Sequence, residues 1–233
     1  MVAGLRAERA ASPVLAAAVG EIKALQARRF AGTYADLLVD PAYQPAARFF
    51  LKELYSDNDY SDRDAQFARI AGALQKLFPV QVAATAVALA QLHALTEDLD
   101  HAMGQAWLRH PTELPAHRYL QAWREVGRRP EREQQLEGVL RIGRELDHLT
   151  RMRGLRMMLK MMRGTANAAG MGSLQRFLEA GFDTFASMGK QNGGTGYFLT
   201  TVQAREAALI SDLFTAEPQS SCALLVEILA KAR

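Results

Sequence analysis

"LHALTEDLDHAM", Leu92 to Met103, decides the fold class. At about 100° per residue, Leu92, Leu95, Leu99 and Met103 share one side, while His93, Glu97, Asp100 and His101 lie roughly opposite. This is the period of an amphipathic helix. The same period recurs along nearly the whole chain, and period-2 alternation is almost absent, so the fold class is all-α. Helices are expected at about 13–38, 42–55, 62–77, 80–108, 113–127, 131–151, 154–163, 172–188, 196–215 and 219–231. They amount to a compact multi-helix bundle of about nine or ten helices. Proline supplies the breaks: Asp40-Pro41 opens the second helix, Pro79 follows the third, and Pro111 and Pro130 punctuate the middle. A single helical domain over 1–233 is expected, with an alternative boundary near 128–130 and loosely ordered ends at 1–12 and 232–233.

Composition narrows the function classes. Of 233 residues, 49% are hydrophobic, enough for a real core. Lys and Arg number 28 against 25 Asp and Glu, a formal +3, too thin a basic footprint for nucleic acid. The single cysteine, Cys222, excludes an internal disulfide and a multi-cysteine zinc site, and fits a reducing compartment. Beside Leu224, Leu225 and Val226 it reads as a small packed hydrophobe. No apolar run approaches the roughly 18 residues of a membrane span. The opening "MVAGLRAERAASPVLAAAVGEIKALQ" imitates a signal peptide until Glu8 and Arg9 interrupt it; Leu15, Val19, Ile22 and Leu25 then continue as a helix. The expected location is cytoplasmic.

"FFLKELYSDNDYSDRD", Phe49 to Asp64, carries a knot of acids. As a calcium loop it would place ligands at Asp57, Asp59 and Ser61, but the required glycine and terminal glutamate are replaced by Asp62 and Ala68. The expectation is instead a helix ending near Tyr55, and a next helix capped by Ser61 with Asp62 and Asp64 in its first turn. Together with "MMRGTANAAGMGSLQRFLEAGFDTFASM" and "FLTTVQAREAALISDLF", this stretch resembles an uncharacterised family of bacterial all-helical proteins, in which "FFL..LY" precedes an acidic turn and a Gly-containing helix leads into "LQ.FLE.GF..F". The resemblance covers about Gln26 to Phe214. It implies bacterial origin and a shared fold, and brings no activity, ligand or catalytic residue.

Candidate chemistry comes from charged groups. His93, Glu97, Asp100 and His101 read as a solvated helix face, with the Glu97/His101 pair spaced to chelate. Glu145 and His148 in "ELDH" have the Glu-x-x-His spacing of di-iron bundles, which need two such motifs. His93, Glu97, His101, Glu145 and His148 are therefore the ligand set of an alternative reading, a helical-bundle oxidoreductase with a metal ion or haem. Trp107, Tyr119 and Trp123 near His110, His117 and Arg124 would serve a flat cofactor equally well as a helix contact. No Ser/His/Asp constellation can be assembled.

Two charges fall on apolar stripes: Asp147 near the line of Leu136, Leu140 and Gly143, and Arg205 among Phe198, Val202 and Leu209. Each needs a partner, so Asp147 and Arg205 are expected as a buried ion pair or as the lining of an anion pocket. In "RMRGLRMMLKMMRG", Arg151 to Gly164, basic residues share one face, and Met157, Met158, Met161 and Met162 supply an apolar pocket or interface. Membrane-surface attachment there requires Met158 and Met162 to face solvent. "GKQNGGTG", Gly189 to Gly196, lacks the Walker order and reads as a loop, with Thr195 capping a helix from Gly196.

The expectation is a non-catalytic soluble protein without a cofactor, binding a protein partner, a homodimer mate, or a small hydrophobic or anionic ligand.

Overall fold

The computed structural model describes residues 2–54, 80–111, 114–190 and 193–232. Among them twelve helices occur and no strand. They are α1 (Val2–Ala11), α2 (Pro13–Thr33), α3 (Ala35–Val39), α4 (Gln44–Leu54), α5 (Val80–Arg109) and α6 (Pro115–Val126), then α7 (Arg129–Thr150), α8 (Leu155–Met161), α9 (Arg163–Ala168), α10 (Gly172–Met188), α11 (Gly194–Thr215) and α12 (Pro218–Lys231). The fold is all-α. Local chemistry starts several of these helices. Ser12 Oγ accepts from the Leu15 amide at 3.4 Å, and proline occupies the first turns of α2, α6, α7 and α12, where its missing N–H costs nothing. Residues 2–11, expected as a loose end, form α1. The expected helix at 62–77, the Ser61 cap and the acids from Asp57 to Asp64 lie outside the described residues.

Three expected boundaries shift, each for a tertiary reason. The helix expected over 13–38 breaks at Tyr34, with φ −114° and ψ 25°. Tyr34 is fully buried, and its hydroxyl donates to Glu206 Oε1 at 3.0 Å. Just before it, a Cβ on Gly32 would sit 1.9 Å from the Ile228 carbonyl oxygen, so α12 closes on bare backbone at the end of α2. The helix expected over 154–163 divides into α8 and α9 around Met162. Helix α11 begins at Gly194 rather than Gly196, and Thr195 does not cap it; its hydroxyl donates to Asp147 Oδ1 at 2.7 Å.

The core forms two clusters. Phe30, Phe50, Leu89, Leu140, Phe185 and Phe198 belong to one. Ile22, Met103, Trp107, Tyr119, Trp123 and Leu213 belong to the other. Helices α2, α5 and α11 run through both, and Leu136 packs against both. Helices from either side of residues 128–130 thus feed each cluster. At that turn Gly127 and Arg128 both take positive φ, 62° and 58°. Arg128 is held there by Asp98 Oδ2 at 2.7 Å and Glu131 Oε1 at 3.1 Å. The turn delivers Arg132, one helical turn later, into the interior. Among the described residues, no helix is long and apolar enough to cross a membrane.

Candidate functional site

Four helices carry a charge on an otherwise buried stripe. Arg29 follows Ile22 and Leu25 on α2, Arg132 precedes Leu136 and Val139 on α7, Glu206 lies between Val202 and Leu209 on α11, and Asp100 precedes Met103 on α5. All four are buried, with exposures of 6, 4, 6 and 2%. A charge taken from water demands compensation, so what each meets decides what the site can do.

Arg29 is satisfied. Its Nη1 donates to Glu206 Oε1 at 2.6 Å, and Tyr34 donates to the same oxygen. Glu97 is satisfied as well: Arg9 Nη2 donates to Oε2 at 2.5 Å, and Lys23 Nζ donates to Oε1. Burial alone would raise the Glu97 pKa, but Lys23 and Arg9 overcome it and hold the carboxyl down at about 2. That carboxylate is ionised.

Arg132 is different. Its guanidinium lies over the Trp123 ring, 4.2 Å from the centroid, a cation–π contact. Its Nε and Nη2 are buried and meet no acceptor among the described residues. Burial lowers its pKa against the pull of Tyr119 and Asp100, yet a guanidinium keeps its proton in proteins. Asp100 Oδ1 likewise meets no donor among the described residues. Burial raises the Asp100 pKa, offset only in part by Lys23 and Arg132, which favours the neutral acid. Burial also raises Tyr119, keeping its phenol protonated.

These groups border a cavity of about 80 Å³ between α2, α5, α7 and α11. Leu89, Leu92, Leu136, Val139 and Ile210 give it an apolar wall. Gln135 and Thr96 add a polar edge, bonded to each other at 2.8 Å. Lys23 with Arg9 matches Glu97, and Arg29 matches Glu206. The Arg132 charge is left for something else.

The residues singled out from the sequence fall elsewhere, with partial exceptions. Asp147 and Arg205 do not pair, and neither lines the cavity. Asp147 accepts from Thr195 and, at 2.6 Å, from Arg151. Arg205 forms a two-pronged pair with Asp36, both contacts 2.7 Å, and Nη1 also donates to the Thr33 carbonyl at 2.8 Å. Both side chains are half-buried and each is taken by a different partner, so the expected pairing of the two with each other is overturned. Met158 and Met162 pack against the core, while Met157 and Met161 are 69 and 73% exposed. The orientation that membrane attachment required of Met158 and Met162 is therefore not met.

The five-ligand metal set also divides. His93 and Glu97 border the cavity, and His101 is buried 3.1 Å from Glu8. Glu145 and His148 are exposed on α7. Among the described residues, no three His, Cys, Asp or Glu side chains gather as a metal site. The face from His93 to His101, expected in solvent, is largely covered, because α1, α2 and α7 all pack on α5. The aromatics are engaged too: Trp107 donates to Glu21 at 2.8 Å and lies under Arg118, while His117 is exposed and His110 pairs with Glu125. Sequence reasoning missed Arg29, Arg132 and Glu206. Their positions on the stripes, the same signal that drew attention to Asp147 and Arg205, were the means to find them.

The model of a family described as "Domain of unknown function (DUF8198)" matches residues 5–220. The chain belongs to that family. The match reaches beyond the expected span of about 26–214 to include Glu8 and Arg9, and it encloses every cavity residue named above. The family's description assigns no chemistry to them. No curated protein and no solved structure matches the chain.

Proposed function

We propose that this protein binds a small organic anion in the cavity between α2, α5, α7 and α11, and that it acts by binding rather than by turnover. The observation carrying this reading is Arg132, a permanently charged guanidinium at 4% exposure beside a cavity, whose Nε and Nη2 meet no acceptor among the described residues. Pockets of this composition, apolar walls with a few placed polar groups, are the usual form of small-ligand sites. Lys23, Arg9 and Arg29 each already contact a carboxylate, which leaves Arg132 as the cation on this wall best placed to draw an anion.

The test is calorimetric titration of the protein and of Arg132→Gln with butyrate, succinate and inorganic phosphate. At least one anion binds the wild type, and the variant binds it about ten- to a hundredfold more weakly, the size expected for losing a charged hydrogen bond. Absence of binding by all three at millimolar concentration removes the reading.

A further inference from the structure

Nε and Nη2 of Arg132 lie on the same edge of the guanidinium and present nearly parallel N–H groups, the arrangement that fits the two oxygens of a carboxylate. The protein displays this match on its surface. Arg163 uses the same edge on Glu179: Nε lies 2.7 Å from Oε1 and 2.9 Å from Oε2, and Nη2 donates to Oε2. Among the described residues, no carboxylate meets that edge of Arg132.

Size and charge restrict what can fill it. A cavity of 80 Å³ is about half of the roughly 150 Å³ that holds a benzene molecule, so it takes only a few non-hydrogen atoms. Glu53, Glu97 and Glu206 also border the space, so a second negative charge on the ligand would face carboxylates. Among the described residues Lys23 and Arg9 share Glu97 and Arg29 has Glu206, whereas Arg132 has no carboxylate in an ion pair with it. The lining also includes the aliphatic side chains Leu89, Leu92, Leu136, Val139 and Ile210.

We infer that the ligand is a short-chain monocarboxylate, its two oxygens held by Nε and Nη2 of Arg132 and its tail against Leu89, Leu92, Leu136, Val139 and Ile210. This rests on the anion-binding reading above and narrows it to one chemical class. The carboxyl of Asp100 and the hydroxyl of Tyr119, both on the cavity wall, are the groups to meet a polar substituent near the ligand's head. The two Arg132 donors are not reached by solvent in this conformation, so binding includes a turn of the guanidinium toward the cavity it lines. That turn changes the stack on Trp123.

The experiment compares butyrate with four probes, each differing from it in one respect: butyramide lacks the charge, octanoate exceeds the length, succinate adds a second charge, and inorganic phosphate lacks the apolar tail. Titrations follow heat and the fluorescence of Trp123 in the Trp107→Phe protein. Butyrate is expected to bind and to shift Trp123 emission, with the other four at least about tenfold weaker. Arg132→Lys keeps the charge without the fork, and is expected to lose about as much. Should either Arg132 variant fail to fold, the fluorescence titration of the Trp107→Phe protein still decides.

Phosphate or succinate binding more tightly than butyrate overturns the monocarboxylate while leaving the anion site standing. Equal binding of butyramide and butyrate overturns both, as does the absence of binding by every probe. Undiminished butyrate affinity in Arg132→Lys overturns the two-donor grip alone.

Discussion

Arg29 and Glu206 join across 177 positions of sequence, with Nη1 and Oε1 2.6 Å apart and both residues 6% exposed. The pair ties α2 to α11, and the Tyr34 hydroxyl adds a third group to the same oxygen. Such a pair contributes little net stability, because desolvation cancels most of its attraction, but breaking it strands a buried charge.

Glu206→Ala is therefore expected to destabilise the protein by about 3–5 kcal/mol. The double substitution Arg29→Met with Glu206→Leu should recover most of that loss, since neither charge is then left behind. Urea denaturation of both proteins checks this. A single variant within about 1 kcal/mol of wild type would mean that Arg29 finds compensation elsewhere.

Acid should act through Glu97. Its folded pKa of about 2 lies below the ordinary 4.5, so its stabilisation is present above 4.5 and lost as pH falls toward 2. The loss is about 2–3 kcal/mol. Glu97→Gln should flatten that limb of the stability–pH curve between pH 4.5 and 2. A slope unchanged in the variant would assign the acid limb to other carboxyls.

Asp100 has the opposite sign. With its folded pKa raised by burial, it favours folding most at low pH, and that contribution declines as pH rises from its unfolded value near 3.8 through the folded one. Asp100→Asn keeps the shape of the neutral acid without the titration. It is expected to be at least as stable as wild type at pH 7, measured by thermal melting. A loss above about 2 kcal/mol would show that the protein uses the ionised form.

Two glycines separate backbone from side-chain contacts. A Cβ at position 32 meets the Ile228 carbonyl at 1.9 Å, whereas one at position 143 meets the flexible Leu199 Cδ2 at 2.6 Å. Gly32→Ala should cost more than Gly143→Ala, by about 1–3 kcal/mol, because backbone cannot step aside. Comparison of the two melting temperatures decides it.

Periodicity made the helices legible because burial of one stripe is a local property of sequence. It also marked Asp147 and Arg205 as charges on a stripe, but not what they would meet. Asp147 stands one turn from the end of α7, where Thr195 and Arg151 reach it, and Arg205 is long enough to leave its stripe for Asp36. Arg29, Arg132 and Glu206 lie deeper among apolar neighbours from several helices. A projection of one helix at a time cannot show that depth. The same limit misjudged the His93 to His101 face: one apolar stripe implies one wet side, yet neighbours pack on α5 from more than one direction. The break at Tyr34 was hidden for a related reason, since it depends on α12 and Glu206, both remote in sequence.

Helix α1 has no fully buried residue and meets α5 through polar contacts, the ion pair of Arg9 with Glu97 and the contact of Glu8 with His101. Attachment of this kind weakens as ionic strength rises, while the apolar clusters strengthen or hold. Salt should therefore separate two levels of cohesion in one molecule, freeing the amides of α1 to exchange well before those of α5. The first element to loosen is the one resting on Glu97, a carboxylate that borders the cavity, so the solvent's ions act on that carboxylate's surroundings before they act on the core.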